Sequence, residues 1–311
     1  MTISNVVSGP PGGTIDDVTL VTIETLYQEL AARALDETVK RIPFRNVLTF
    51  SDRSFYPGAK NVPVKPIPNI RDYCDIMLKC MWPFVETSHM IFAQWDAMAF
   101  DGSQWTDEYL QYDYIGALWP WEPPGQNVGC GGFSLRSAKL LQALRDPMIQ
   151  MTPESRFGLK HEDAYIGVVH RQYLEQKFGI RFAPPELAAQ FSYELGSYSK
   201  PSMSFHGFWN VIKFMPQDTV DFFVQNRPDG MFNELHRAHH TIAAMADDLE
   251  MIPILIEGGA YMDFHTRDGL TPVHKAAIKG ASAFFFFFFC FSKFNMLRTH
   301  SNKQSKAKLG H

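Results

Sequence analysis

The sequence is short of most features that announce a function outright. Its four cysteines, Cys74, Cys80, Cys130 and Cys290, lie far apart and form no CxxC pair. Neither a zinc ribbon nor a disulfide framework is expected, and the thiols read as free, in a reducing compartment. Clusters of Lys and Arg are missing and the formal net charge is -4, which leaves no electrostatic footprint for nucleic acid. The longest apolar run, ASAFFFFFFCF, stops short of the roughly 18 to 20 residues a membrane helix needs. The first residues, MTISNVVSGPPGGTIDD, show no basic stretch leading into an apolar one, so no secretory signal is expected. A GxGxxG after the first strand and a P-loop are both absent. These absences lead to the expectation of a soluble, cytoplasmic protein with no membrane span and no nucleic-acid partner.

What is present is ordinary globular composition. The 311 residues are 45% hydrophobic and 20% charged, enough to bury a core in one large domain or two smaller ones. VTLVTIET (18–25) is a β-branched run that reads as a buried strand. LYQELAARALDETVKR (26–41) follows with helical spacing and with Lys40 and Arg41 in its last turn, where cations suit the dipole. RNVLTFSD (45–52) is a second strand, NIRDYCDIMLKCMWPFV (69–85) a helix and SHMIFAQWD a third strand. Alternation of strand and helix is the signature of a parallel α/β sheet.

Further along, VGCGGFSLRS (128–137) is glycine-rich and reads as a loop before the helix SAKLLQALRD. EDAYIGVVHRQYLEQKFG (162–179) reads as one helix, with acids in its first turn and Gly179 as C-cap. The expected organisation is a flexible leader (1–16), an α/β domain (17–212), a helical linker (213–257), a repeat-like segment (258–280) and a Phe-rich, then basic, disordered tail (281–311).

Ligands of an open parallel sheet bind at the carboxyl ends of its strands, and Asp96 sits at such an end. A carboxylate there suits a hard divalent cation that bridges phosphate oxygens; the alternative is a turn residue that ends the strand. Gly131 and Gly132 allow backbone to approach a ligand closely, or else form a tight turn. Glu162 and Asp163 are either a general base in a cleft or decoration of a helix start. His206, among Phe205, Phe208 and Trp209, is either a metal ligand or a hydrogen-bonded core histidine. Trp95, Trp119 and Trp121 are candidate stacking surfaces for a ligand, or simply core.

In order, VTLVTIET, FAQWDAMAFDGSQWTDEYLQYDYIGALWPW, VGCGGFSLRSAKLLQAL, EDAYIGVVHRQYLEQKFGIRFAPPELAAQFSYE and SFHGFWN resemble a largely uncharacterised domain family. Its members are regarded as glycosyltransferases of the GT-A type, and the resemblance covers roughly residues 17–212. It implies a mixed, mainly parallel sheet flanked by helices, and transfer of a sugar from a nucleotide-diphosphate donor to an acceptor hydroxyl. Gln94-Trp95-Asp96 falls on the DxD position, with Asp96 the carboxylate for metal and diphosphate. Gln94 stands where the pattern has its first acid, a neutral oxygen ligand at best. Gly129, Gly131, Gly132 and Phe133 match the acceptor-side glycine segment, and His161-Glu162-Asp163 the xED motif, with Asp163 in the base position. The resemblance further implies His206 as a second metal ligand, Thr22 and Glu24 as nucleotide contacts just after the first strand, and Mn²⁺ or Mg²⁺ as the ion.

DGLTPVHKAAIKG (268–280) resembles one ankyrin repeat, and FHTRDGLTPVHKAA is similar to the ankyrin region of Shank-type scaffold proteins. That resemblance implies a protein partner. Two rivals to a transferase therefore stand: a decayed transferase body serving as an interaction scaffold, and a glycoside hydrolase with paired carboxylates.

Overall fold

The structure is a computed structural model that describes residues 15–120, 122–151, 161–195, 198 and 201–226. The ankyrin-like segment, the tail, Cys290 and Trp121 lie outside the described residues.

Strand β1 (Ile15–Ile23) is buried along nearly its whole length, as a strand covered on both faces must be. It pairs in parallel with β2 (Phe44–Ser51) on one side and β4 (His89–Ala93) on the other. β3 (Lys60–Pro63) extends the parallel part beyond β2. β7 (Phe133–Ser137) runs antiparallel to β4, and β6 (Tyr114–Ile115) antiparallel to β7. The order is β3-β2-β1-β4-β7-β6, a mixed, mostly parallel α/β sheet flanked by helices.

Helix α1 (Gln28–Arg41) turns Leu30, Ala31, Ala34, Leu35 and Thr38 inward. Its buried Glu37 is held by Arg33 at 3.1 Å and by Arg41 at 2.6 Å. Helix α2 (Ile70–Lys79) is capped by Asn69, whose side chain accepts the Asp72 N–H, and it buries Cys74, Met77 and Leu78. The expected helix over 69–85 stops there. Pro83 has no N–H and disfavours helical backbone before it, and Trp82–Phe84 form a separate 3₁₀ turn.

Two expectations are corrected downstream. The glycine segment does not lead straight into a helix: the strand β7 intervenes, and α3 (Ala138–Ala143) starts after it with Ser137 as cap. The single helix expected over 162–179 is three pieces. A short turn α4 (Glu162–Ala164) is followed by a π-helical stretch (Tyr165–Val169), then α5 (Arg171–Phe178). The His170 N–H reaches back to the Tyr165 carbonyl at 2.8 Å, the longer spacing of a π-bulge. Gly179 closes α5 in the left-handed region at φ 61, as a C-cap glycine should.

A second, three-stranded sheet is built from β5 (Ala97–Ala99), β9 (Ser204–His206) and β8 (Ser192–Tyr193), which follows α6 (Pro185–Phe191). Helix α7 (Phe208–Phe214) runs through position 212, and α8 (Gln217–Gln225) occupies part of the expected linker. Phe223 of α8 stacks on Trp95. Among the described residues no helix is long and apolar enough to cross a membrane.

Candidate functional site

The chain winds outward from β1 to β2 and β3, then returns to place β4 on the opposite side of β1. The winding therefore reverses between β1 and β4, and the carboxyl ends of those two strands are where an open α/β sheet leaves a crevice. Glu24 follows β1 directly. Gln94, Trp95 and Asp96 follow β4, in a turn closed by the Ala97 N–H bonded to the Gln94 carbonyl at 3.1 Å.

Asp96 is carried into its position by strand pairing. Ala97 of β5 lies opposite His206 of β9, so Asp96 meets the residues at the end of β9. The Gly207 N–H donates to the Asp96 carbonyl at 3.0 Å, from a backbone at φ 100, where glycine is the residue that fits. The Asp96 Oδ1 then sits 3.6 Å from His206 Nε2. Asp96 is only 7% exposed. Burial raises its pKa, His206 opposes that rise, and Glu194 adds to it.

His206 is surrounded. Its Nδ1 lies 3.0 Å from Glu194 Oε1 and 3.2 Å from Cys130 Sγ. Burial works against a charged ring, yet Cys130, Asp96 and Glu194 together push its pKa well above the usual histidine range. Burial and the Glu194 charge push the Cys130 thiol up to about 12. Glu24 joins the same group electrostatically: burial raises it, and Asp96 is among the charges that add to the rise. One Glu24 oxygen also accepts the N–H groups of Leu26 and Tyr27, at 2.6 and 2.9 Å.

The glycine pair separates this cluster from the second acidic group. A side chain at Gly132 would run into the His206 ring. At Gly131 a Cβ would lie 2.7 Å from Glu162 Oε1 and 2.9 Å from Asp163 Cβ. Both positions are glycine because the side chains of His206, Glu162 and Asp163 lie against them. Asp163 accepts the Gly131 N–H at 2.9 Å and the Ala164 N–H at 2.7 Å. Burial, then the neighbouring Glu162 charge, raise its pKa to about 6 against those two donors. That places a carboxylate near neutrality, where a general base is effective. Glu162 has a different task, since its Oε1 is paired at 2.9 Å with the fully buried Arg136. Arg136 is flanked by the Phe92 and Tyr114 rings, 5.6 and 5.7 Å away.

The structure thus brings Asp96, His206, Gly131, Gly132 and Asp163 together, with Glu24 nearby, and leaves other candidates apart. Thr22 is not beyond the first strand but inside β1 and buried, paired with Thr49. Phe133 belongs to β7 and packs in the core against Phe191. Gly129 is needed because the Trp119 ring covers it, and Trp119 is itself buried. Gln94 donates its side-chain amide to the Tyr73 hydroxyl at 2.8 Å. Trp95 is packed between Tyr27, Phe208 and Phe223. The sequence reading missed Glu194 and the position of Cys130. Cys130 stood inside a singled-out motif, whereas only the β8–β9 pairing brings Glu194 to His206.

Residues 58–206 match a protein family described as "Protein of unknown function (DUF5672)". The match runs from just before β3 to His206 and includes Asp96, the glycine segment, Glu162 and Asp163. No curated protein matches the chain.

Proposed function

We propose that the protein is a GT-A-type glycosyltransferase, which moves a sugar from a nucleotide-diphosphate donor to an acceptor hydroxyl. One observation carries the reading: the buried Asp96 paired with the half-buried His206 at the switch point of the sheet, with Asp163 on the other side of the Gly131-Gly132 backbone. The carboxylate oxygen and imidazole nitrogen, 3.6 Å apart, suit two positions in the shell of one Mn²⁺ or Mg²⁺ ion. Such an ion, when bound, supplies positive charge against a diphosphate leaving group.

Asp96 and Glu24, at the ends of adjacent strands, bound the donor side. Asp163 bounds the acceptor side, held in orientation by the Gly131 and Ala164 N–H groups. In an inverting transfer Asp163 takes the proton of the acceptor hydroxyl. The acceptor oxygen then bonds to the anomeric carbon as the bond from that carbon to the diphosphate oxygen breaks, and the nucleoside diphosphate leaves with the electron pair. Arg136 holds Glu162 through its 2.9 Å ion pair, which leaves Asp163 as the acid free to face the acceptor.

A second reading, a transferase body retained as an interaction scaffold, is favoured by Gln94, which is uncharged and spends its amide on Tyr73. A thermal-shift panel of nucleotide sugars on the full chain, with and without Mn²⁺, separates the two. Metal-dependent stabilisation by one donor, lost in Asp96→Asn, is expected. A folded protein that no donor shifts overturns the transferase reading and leaves the scaffold.

A further inference from the structure

The His206 ring has two edges, and the proposed function uses only the one that faces Asp96. We infer that the other edge is part of a zinc site formed by Cys130, Glu194 and His206. This inference does not depend on the transferase reading. The sulfur, one carboxylate oxygen and one imidazole nitrogen all lie within 4.8 Å of one another. Individual separations are 3.2 Å from Cys130 Sγ to His206 Nδ1 and 3.0 Å from that nitrogen to Glu194 Oε1. Bonds of about 2.0–2.3 Å to a tetrahedral ion require the donors to open only slightly from these positions.

The set is mixed, one thiolate, one imidazole and one carboxylate. Thiolate selects against Mg²⁺ and Mn²⁺, and the combination suits Zn²⁺ with its fourth position open to water or substrate. The donors come from separate parts of the chain that the fold holds firmly. Glu194 follows β8 and His206 ends β9, and these strands pair in parallel, with Tyr193 opposite Phe205. The Asn210 side chain donates to the main-chain carbonyls of both Glu194 and His206, at 2.9 and 2.7 Å. Cys130 is delivered by the loop whose Gly132 lies flat against the ring. Asn210 and Gly132 are outer supports of the kind that orient ligands around a metal.

A zinc ion takes Cys130 as its thiolate and His206 through an unprotonated Nδ1, so binding releases the protons those atoms hold. The remaining ring proton then resides on Nε2, pointing at Asp96 Oδ1, a carboxylate–histidine–metal arrangement. Loaded in this way, His206 offers no lone pair on its Asp96 edge. Zn²⁺ at one edge and Mn²⁺ or Mg²⁺ at the other therefore exclude each other at this ring.

Co²⁺ added to metal-free, full-length protein is the probe. A thiolate-to-cobalt charge-transfer band in the near ultraviolet is expected, abolished in Cys130→Ser, retained in Asp96→Asn and bleached by one equivalent of Zn²⁺. In Asn210→Ala the cobalt affinity should fall about ten- to a hundredfold with the band intact. If Cys130→Ser loses its far-ultraviolet circular dichroism, Glu194→Gln takes over the test, with an expected loss of at least about tenfold in affinity. Absence of the band in folded wild-type protein overturns the site, as does a band that survives in folded Cys130→Ser.

Discussion

Gly132→Ala adds a single methyl group where the site tolerates none. Gly132 is not among the positive-φ glycines, so alanine meets no backbone penalty and the whole effect is steric. The added carbon would lie 2.1 Å from His206 Cδ2 and 2.4 Å from its Nε2. The strand cannot yield easily, because the Gly132 carbonyl accepts the Gln94 N–H at 2.9 Å and Phe133 is locked in the core. The ring must therefore move by about an ångström to restore normal carbon contact. That displacement breaks contacts of 3.0, 3.2 and 3.6 Å with Glu194, Cys130 and Asp96. Overpacking costs about 1–3 kcal/mol, and a charged hydrogen bond such as that to Glu194 about 1.5–3 kcal/mol. The expected loss is about 3–5 kcal/mol in urea unfolding, together with a lowered His206 pKa by NMR titration. Gly125→Ala is the control: it has φ 87 and nothing within 4 Å of its added carbon. It should cost about 1–3 kcal/mol of backbone strain and leave the His206 titration alone. A Gly132→Ala protein within about 0.5 kcal/mol of wild type, with His206 titrating as it does in wild type, would refute the placement of the ring.

Removing Arg136 leaves Glu162 buried without its partner, so Arg136→Met should cost about 3–5 kcal/mol in denaturant unfolding, and adding Glu162→Leu should recover most of that loss. For Asp163, a base with pKa raised to about 6 predicts transfer that falls about tenfold per pH unit below that value and is level above it; Asp163→Asn should lose about 10²–10⁴-fold with donor affinity unchanged. Stability carries the opposite sign: a folded pKa raised from 3.8 to about 6 favours the protonated form, so this contribution is full at acid pH and is lost as pH rises through about 6. Asp163→Asn should remove that loss, and urea midpoints of the two proteins across this range check it.

The parts of the fold legible in the sequence are those where one rule acts alone. β1 and β4 are buried on both faces and read as continuous apolar runs, and α1 carries a clean inward stripe. β3 was illegible because an edge strand of Lys60, Asn61, Val62 and Pro63 has no apolar alternation to show. β7 was masked by Ser134 and Arg136, which look like loop residues. Their burial makes sense only with Glu162, which lies beyond α3 in the chain. The broken helix had no signal beyond Gly167, which packs against Gly129 and Trp119. For the site, Asp96 was visible by its position at a strand end. Its contact with His206 was not, because it is created by the β5–β9 register between segments about a hundred residues apart.

Position 94 carries an uncharged glutamine. An acid there would face the Tyr73 hydroxyl now bonded to Gln94, and would add a charge beside a half-buried tyrosine. The fold assembles its negative charge in another way. Glu24 comes from the end of β1, Asp96 from the end of β4 and Glu194 from the end of β8; burial raises the pKa values of Glu24 and Asp96, and a neighbouring carboxylate adds to each rise. Like charges held this closely are costly to bury unless a cation offsets them, and His206 stands between two of them, 3.6 Å from Asp96 and 3.0 Å from Glu194. A residue without a ring nitrogen in place of His206 would leave Asp96 and Glu194 facing each other across a gap with no partner between them.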